Sequence, residues 1–179
     1  APVLGGPESR IVTAAAEAEA AQARFYRDVR ARGREVLDRM TPADRAVVLV
    51  GRPYNTQDPG AAMDLPYKLR RLGVLPVPMD YLPLDAADVS DRYPNMYWRS
   101  GQDILGAARL VAGDERLQAV YLTSFHCGPD SFLLSYFRRL IGGKPFLELE
   151  VDDHTAEAGM LTRCESFLDS LGVRREVAA

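Results

Sequence analysis

Cysteine and histidine occur only twice each in this chain and tryptophan once. No apolar run approaches the roughly 20 residues that span a bilayer. Two cysteines, Cys127 and Cys164, are too few for a disulfide scaffold, and no secretory leader is apparent, so the protein reads as cytoplasmic and reduced. A surplus of positive charge is also missing. The formal net charge is -3 and the pI near 5.5, which excludes a generic nucleic-acid or anionic-membrane binder, because those cluster Lys and Arg in excess. No strand candidate is followed by a phosphate-binding P-loop or a dinucleotide glycine fingerprint, which argues against a nucleotide site.

What is present fits one globular domain with a real core: 179 residues, 47% hydrophobic and 26% charged. The chain begins at Ala1 without methionine and enters a helical pattern at once, which reads as a domain excised from something longer. That pattern covers residues 7–40. Phe25, Val29, Val36, Leu37 and Met40 fall on one helical face, while 14–23 has little apolar bulk and suits either a missing neighbour or a solvated arm. Residues 1–41 are therefore expected to form a helical arm packed on an α/β domain, 42–179.

In that domain the apolar runs 46–50, 74–79, 119–123 and 145–150 predict strands. Pro76 and Pro78 cannot donate to a ladder and push the second strand toward a sheet edge. Helical periods lie between the strands, at 66–72 opened by Asp64, at 98–111, and at 132–141 with Pro129 suited to a first helical position. A last helix is expected at 155–171, with Asp153 or Thr155 as its cap, and 82–97 reads as an irregular loop with one short helical turn. The alternation predicts a three-layer α/β fold of the Rossmann or flavodoxin kind, a four-stranded mainly parallel sheet with helices on both faces.

Ligands in such folds sit outside the carboxyl ends of the strands. Three polar clusters follow strands in this chain: Arg52, Tyr54 and Asn55; His126, Cys127 and Asp130; Asp152, Asp153 and His154. They are expected to line one edge. Cys127, between a strand and a helix start, stands where the helix end favours a thiolate able to ligate metal or attack an electrophile. The plain alternative is a small buried hydrophobe. His154 beside Cys127 also fits a nucleophile pair, or a metal site completed by the neighbouring aspartates. Arg52 and Arg163 suit an anionic ligand through a bidentate fork, or a structural ion pair with Asp80, Glu157 or Glu165. Cys164 falls in the apolar stripe of the last helix and is assigned to the core.

Taken together, Gly51 to Asn55, Asn95 to Trp98 with Gly101 and Gln102, residues 120–125, 127–132 and 149–154, Ala158, Gly159, Thr162 and Arg163 resemble a known family. They are similar to the carboxyl-terminal part of the acyl-CoA dehydratase activase-related proteins, relatives of the 2-hydroxyglutaryl-CoA dehydratase components. The likeness runs from about Val47 to Leu171 and is loose in the first helix. It implies a domain of a 2-hydroxyacyl-CoA dehydratase-type iron–sulfur protein, working with an ATP-dependent activase domain or subunit in low-potential electron transfer, and an acyl-CoA substrate. Cys127 matches a cysteine that holds a [4Fe–4S] cluster in dehydratase-type relatives; the other ligands are expected from sequence outside this chain, and no cluster is expected in this piece alone. Two other readings stay open: a non-redox ligand-binding or docking module for an activase partner, and a cysteine-dependent hydrolase.

Overall fold

The computed structural model describes residues 7–124, 128–152 and 154–173. Helix α1 spans Glu8–Asp38, and strand β1, Ala46–Gly51, leads through a short helix α2, Pro53–Thr56, and α3, Leu65–Arg71, to β2, Leu75–Pro78. Two 3-10 turns, Met79–Tyr81 and Leu84–Ala86, precede α4, Arg99–Gly113; then come β3, Leu117–Thr123, α5, Gly128–Ile141, β4, Phe146–Glu150, and α6, Glu157–Ser170. The four strands form one sheet in the order β2-β1-β3-β4, and every pairing is parallel. This is the expected three-layer α/β fold.

β1 and β3 are the central pair, in register Val48 to Ala119 and Val50 to Tyr121, and all their residues are buried. Burial on both faces is what their unbroken apolar runs encode. Successive side chains alternate between the two faces. Val48, Val50, Ala119 and Tyr121 meet Ile104, Leu105 and Val111 of α4 and Leu133, Phe137 and Ile141 of α5; Val47, Leu49, Val120 and Leu122 meet Leu65 and Leu69 of α3 and Met160, Cys164 and Leu168 of α6. Tyr121 and Phe137 are wholly buried and pack edge to face with centroids 5.2 Å apart. Each such side chain contributes about 1.5–3 kcal/mol by leaving water. β2 lies at the sheet edge, where its two prolines cost no ladder bonds on the open side.

Several helix starts differ from the sequence pattern. Asp64 stands at the head of α3 but with a left-handed backbone, φ 51°, and makes no side-chain cap bond; Ala156 rather than Asp153 or Thr155 holds the cap position of α6. Thr155 is instead engaged by Asp152, to which its hydroxyl donates at 2.9 Å. Within 82–97 only the 3-10 turn Leu84–Ala86 is regular.

Helix α1 is anchored through its last third. Leu37 and Met40 pack against the core, and Arg116 Nη1 donates to the carbonyls of Leu37 at 3.3 Å and Met40 at 2.9 Å, satisfying helix-end acceptors. Arg116 immediately precedes β3, so this end of α1 lies at the amino edge of the sheet. Gly33 meets Tyr81, which lies past the carboxyl end of β2; a Cβ on Gly33 would come within 1.9 Å of the Tyr81 carbonyl oxygen. Residues 8–28 run on beyond that edge for about 30 Å at 1.5 Å per residue, and all but Ile11 are exposed.

The Gly33 approach is against backbone, which cannot swing aside. Gly33→Ala is expected to lower stability by about 1–3 kcal/mol through overpacking. Gly113→Ala, whose Cβ would have nothing within 4 Å, serves as the neutral control. Urea unfolding of the two variants checks both; a Gly33 variant as stable as the control contradicts the anchoring contact.

Candidate functional site

The strand order sets the location. From β1 the chain leaves toward β2, and from β3 it leaves toward β4, so the connections diverge above the central pair and open a crevice there. Gly51, the last residue of β1, has φ 154° and pairs with Leu122; a Cβ there would lie 2.6 Å from the Leu122 carbonyl oxygen. Only glycine brings the two strand ends this close. Arg52 therefore leaves β1 directly beside β3.

Across the crevice Arg52 Nε donates to Asp130 Oδ1 at 2.9 Å, and Thr123 Oγ1 donates to Asp130 Oδ2 at 3.0 Å. Asp130, in the first turn of α5, is 1% exposed. One carboxylate thus ties together the loop after β1, the end of β3 and the head of α5. The guanidinium of Arg52 also lies 5.7 Å from the centroid of the Tyr54 ring, a cation–π contact, while Tyr54 itself is half exposed. Asn55 is buried in α2, and its Nδ2 has no hydrogen-bond partner among the described residues. Gln57 continues the row toward β2 by donating to Asp80 at 2.8 Å.

On the other side, Val151 N donates to the Thr123 carbonyl at 2.8 Å, which prolongs the sheet ladder and brings the β4 loop to the same edge. Asp152 accepts there from the His154 backbone N–H at 2.8 Å and from Thr155 Oγ1. The Thr155 hydroxyl and then the His154 N–H hold the Asp152 carboxyl below the usual carboxylate range. His154 is exposed. Arg163 is set apart from this edge: its Nη2 donates to the Glu148 carbonyl at 2.6 Å, in the middle of β4, and pins α6 to the outer strand. Arg52 pairs with Asp130 instead of with Asp80, Glu157 or Glu165. Phe125, His126, Cys127 and Asp153 lie outside the described residues.

Next to the crevice lies a second feature that sequence reasoning did not single out as a site. Asn95, Tyr97, Trp98, Pro129 and Phe132 line a hollow of about 420 Å³ between the heads of α4 and α5. Its sequence signal was the concentration of aromatics in the loop before α4.

A protein-bound [4Fe–4S] cluster takes about four thiolates. Cys164 is 1% exposed, and burial pushes its thiol up to about 11. Among the described residues no group of three or more His, Cys, Asp or Glu side chains is placed to hold a metal ion. The described side chains do not assemble a ligand set for such a cluster.

Two outcomes follow from the geometry. Asp130→Ala removes the buried carboxylate to which both Arg52 and Thr123 donate and is expected to cost about 3 kcal/mol, with Arg52→Ala and the double variant showing non-additive losses in denaturant titrations. Independent losses that simply add contradict the tie. Iodoacetamide at pH 8, three units below the Cys164 value of about 11, is expected to leave Cys164 unlabelled until denaturant is added, as read by peptide mass spectrometry.

No described helix is long and apolar enough to cross a membrane. No curated protein and no solved structure matches the chain. Residues 2–82 match the family described as CoA enzyme activase uncharacterised domain (DUF2229). The match includes α1, where the sequence likeness was loose, together with β1, Arg52, Tyr54, Asn55 and β2, and it stops before α4. It supports a CoA-enzyme activase-related family for the part of the chain that carries the arm and the first half of the sheet.

Proposed function

We propose that this chain is a module of a 2-hydroxyacyl-CoA dehydratase-type system served by an ATP-dependent activase, and that it lends Cys127 as one ligand of a [4Fe–4S] cluster completed by polypeptide outside the chain. The observation that carries the reading is the match of residues 2–82 to a CoA enzyme activase domain family. Its support in the fold is positional. Ser124 closes β3 and Gly128 opens α5, both at the switch-point edge, so the segment that contains Cys127 joins the two elements held together by Asp130. A cluster bound there would supply one-electron chemistry. The residues of this chain act as its frame: Asp130, Thr123 and Arg52 fix the loop ends, and Gly51 keeps them close.

A non-redox docking role is the second reading, and a specific observation favours it. The first two thirds of α1 are exposed along their length, with Val12 and Phe25 each 62% exposed, and helices of that kind gain most of their stability from a packed partner. In this reading the arm and edge receive an activase without carrying a cluster.

Anaerobic reconstitution with iron and sulfide separates the two. The chain alone is expected to stay colourless. The protein isolated anaerobically with its native partners is expected to contain iron and sulfide, and to lose most of both on Cys127→Ser. Iron content indifferent to Cys127→Ser, with the partners still bound, refutes the ligand role and leaves the docking reading standing.

A further inference from the structure

The aromatic hollow lies outside the ion-paired crevice and has chemistry of its own. Tyr97 is 81% exposed, Phe132 51% and Trp98 39%, whereas Met96 beside them is buried. Large exposed aromatics gathered in one place mark a ligand or partner surface, because a monomer gains nothing by leaving them in water. The rings are held in place. Tyr97 packs edge-on to Trp98 with centroids 5.7 Å apart, and Phe132 packs edge-on to Tyr136 at 4.9 Å, which in turn meets Tyr93 at 4.8 Å. The Phe132 ring is thus braced through Tyr136 to Tyr93, both packed against the core, which lessens the ordering left to be done on binding.

The lining also says what suits it. Among the described residues no charged side chain lines the hollow, so they offer an ionised group no counter-charge there. Its polar groups are the Tyr97 hydroxyl, the Trp98 indole N–H and the Asn95 carboxamide, and the carboxamide alone offers an amide donor beside a carbonyl acceptor. A volume of about 420 Å³ lies within the range of small-ligand clefts. Aromatic faces favour a flat ring, and the amide fork favours a ring edge that carries a donor beside an acceptor, as a purine does. An aliphatic anchor from a protein partner would use the rings and leave the fork unmatched.

We propose that the hollow between the heads of α4 and α5 binds the uncharged heteroaromatic ring of a purine-type ligand. This stands independently of the cluster role given to Cys127. It is also distinct from a phosphate site, since among the described residues neither a glycine-rich loop nor a cation lines the hollow.

Trp98 is the chain's single tryptophan, so its emission reports on this place alone. The full chain is titrated with adenosine, with fluorescence and calorimetry read in parallel. Saturable quenching of Trp98 with matching heat is expected. Phe132→Ala should weaken adenosine about tenfold, the loss of one stacking face. Asn95→Ala should weaken adenosine severalfold but leave the binding of indole, which lacks the paired edge, unchanged. Both side chains are exposed, so far-UV dichroism should show the fold intact; should Phe132→Ala fail that check, Tyr97→Ala replaces it with the same expectation. Absence of saturable quenching up to the solubility limit of adenosine overturns the proposal. So does adenosine binding unaffected by removal of the ring, or equal loss of adenosine and indole in the Asn95 variant.

Discussion

Everything at the carboxyl edge of this sheet hangs on the enclosed carboxylate of Asp130. Backbone ladders fix the strands, but they end at Gly51 and Thr123 and leave the following loops free to choose their paths. Asp130 removes that freedom, because one oxygen is committed to Arg52 and the other to Thr123. Its worth is mainly geometric. A buried ion pair recovers little more than its own desolvation cost, and an apolar pair of similar volume would stabilise as well. An apolar pair would not hold an arginine, a strand end and a helix head in one fixed arrangement. The stability of the domain comes from the two apolar layers, and the definition of the edge comes from this contact.

The layers were legible in the sequence for a physical reason. β1 and β3 are buried on both faces, so each reads as an unbroken apolar run, and the two prolines of β2 are compatible only with an edge. Strand order was not legible, since the same four runs suit several right-handed windings. The switch point stayed hidden with it. Arg52 shows the consequence most plainly: its partner lies 78 residues on, and no local spacing distinguishes Asp130 from Asp80, Glu157 or Glu165. Arg163 shows the converse. Its guanidinium fork suited an anionic ligand or a structural ion pair, yet α6 turns it toward a strand carbonyl.

Helix α1 was half legible. Its apolar face at Phe25, Val29, Val36, Leu37 and Met40 declared packing, and Leu37 and Met40 do pack against the core, whereas Phe25 is exposed. What the pattern lacked was any sign of how far the helix would outrun its support. Gly33 and Arg30 are the last points of firm attachment toward the amino end, Arg30 through an ion pair with Asp85. Beyond them a helix of about 20 residues stands with little tertiary packing, although isolated helices of modest length are marginal in water. The family match at residues 2–82 takes in this arm.

The aromatic hollow and the ion-paired crevice meet in a single turn of α5. A helix advances by about 100° per residue, so Pro129, Phe132 and Tyr136 fall on one side while Asp130, Leu133 and Phe137 fall on another. The first set supplies the hollow and the ring that orients it; the second enters the core beneath β3. The aromatic residues in the loop before α4 gave no period from which to read a face, which is why the hollow escaped the sequence. Because both features share this turn, a rotation of α5 large enough to release Asp130 from Arg52 would also move Phe132 relative to Trp98. The coupling needs no long pathway: two to three residues of one rigid helix, held by a carboxylate on one side and by edge-packed rings on the other, connect the ion-paired edge to the aromatic hollow beside it.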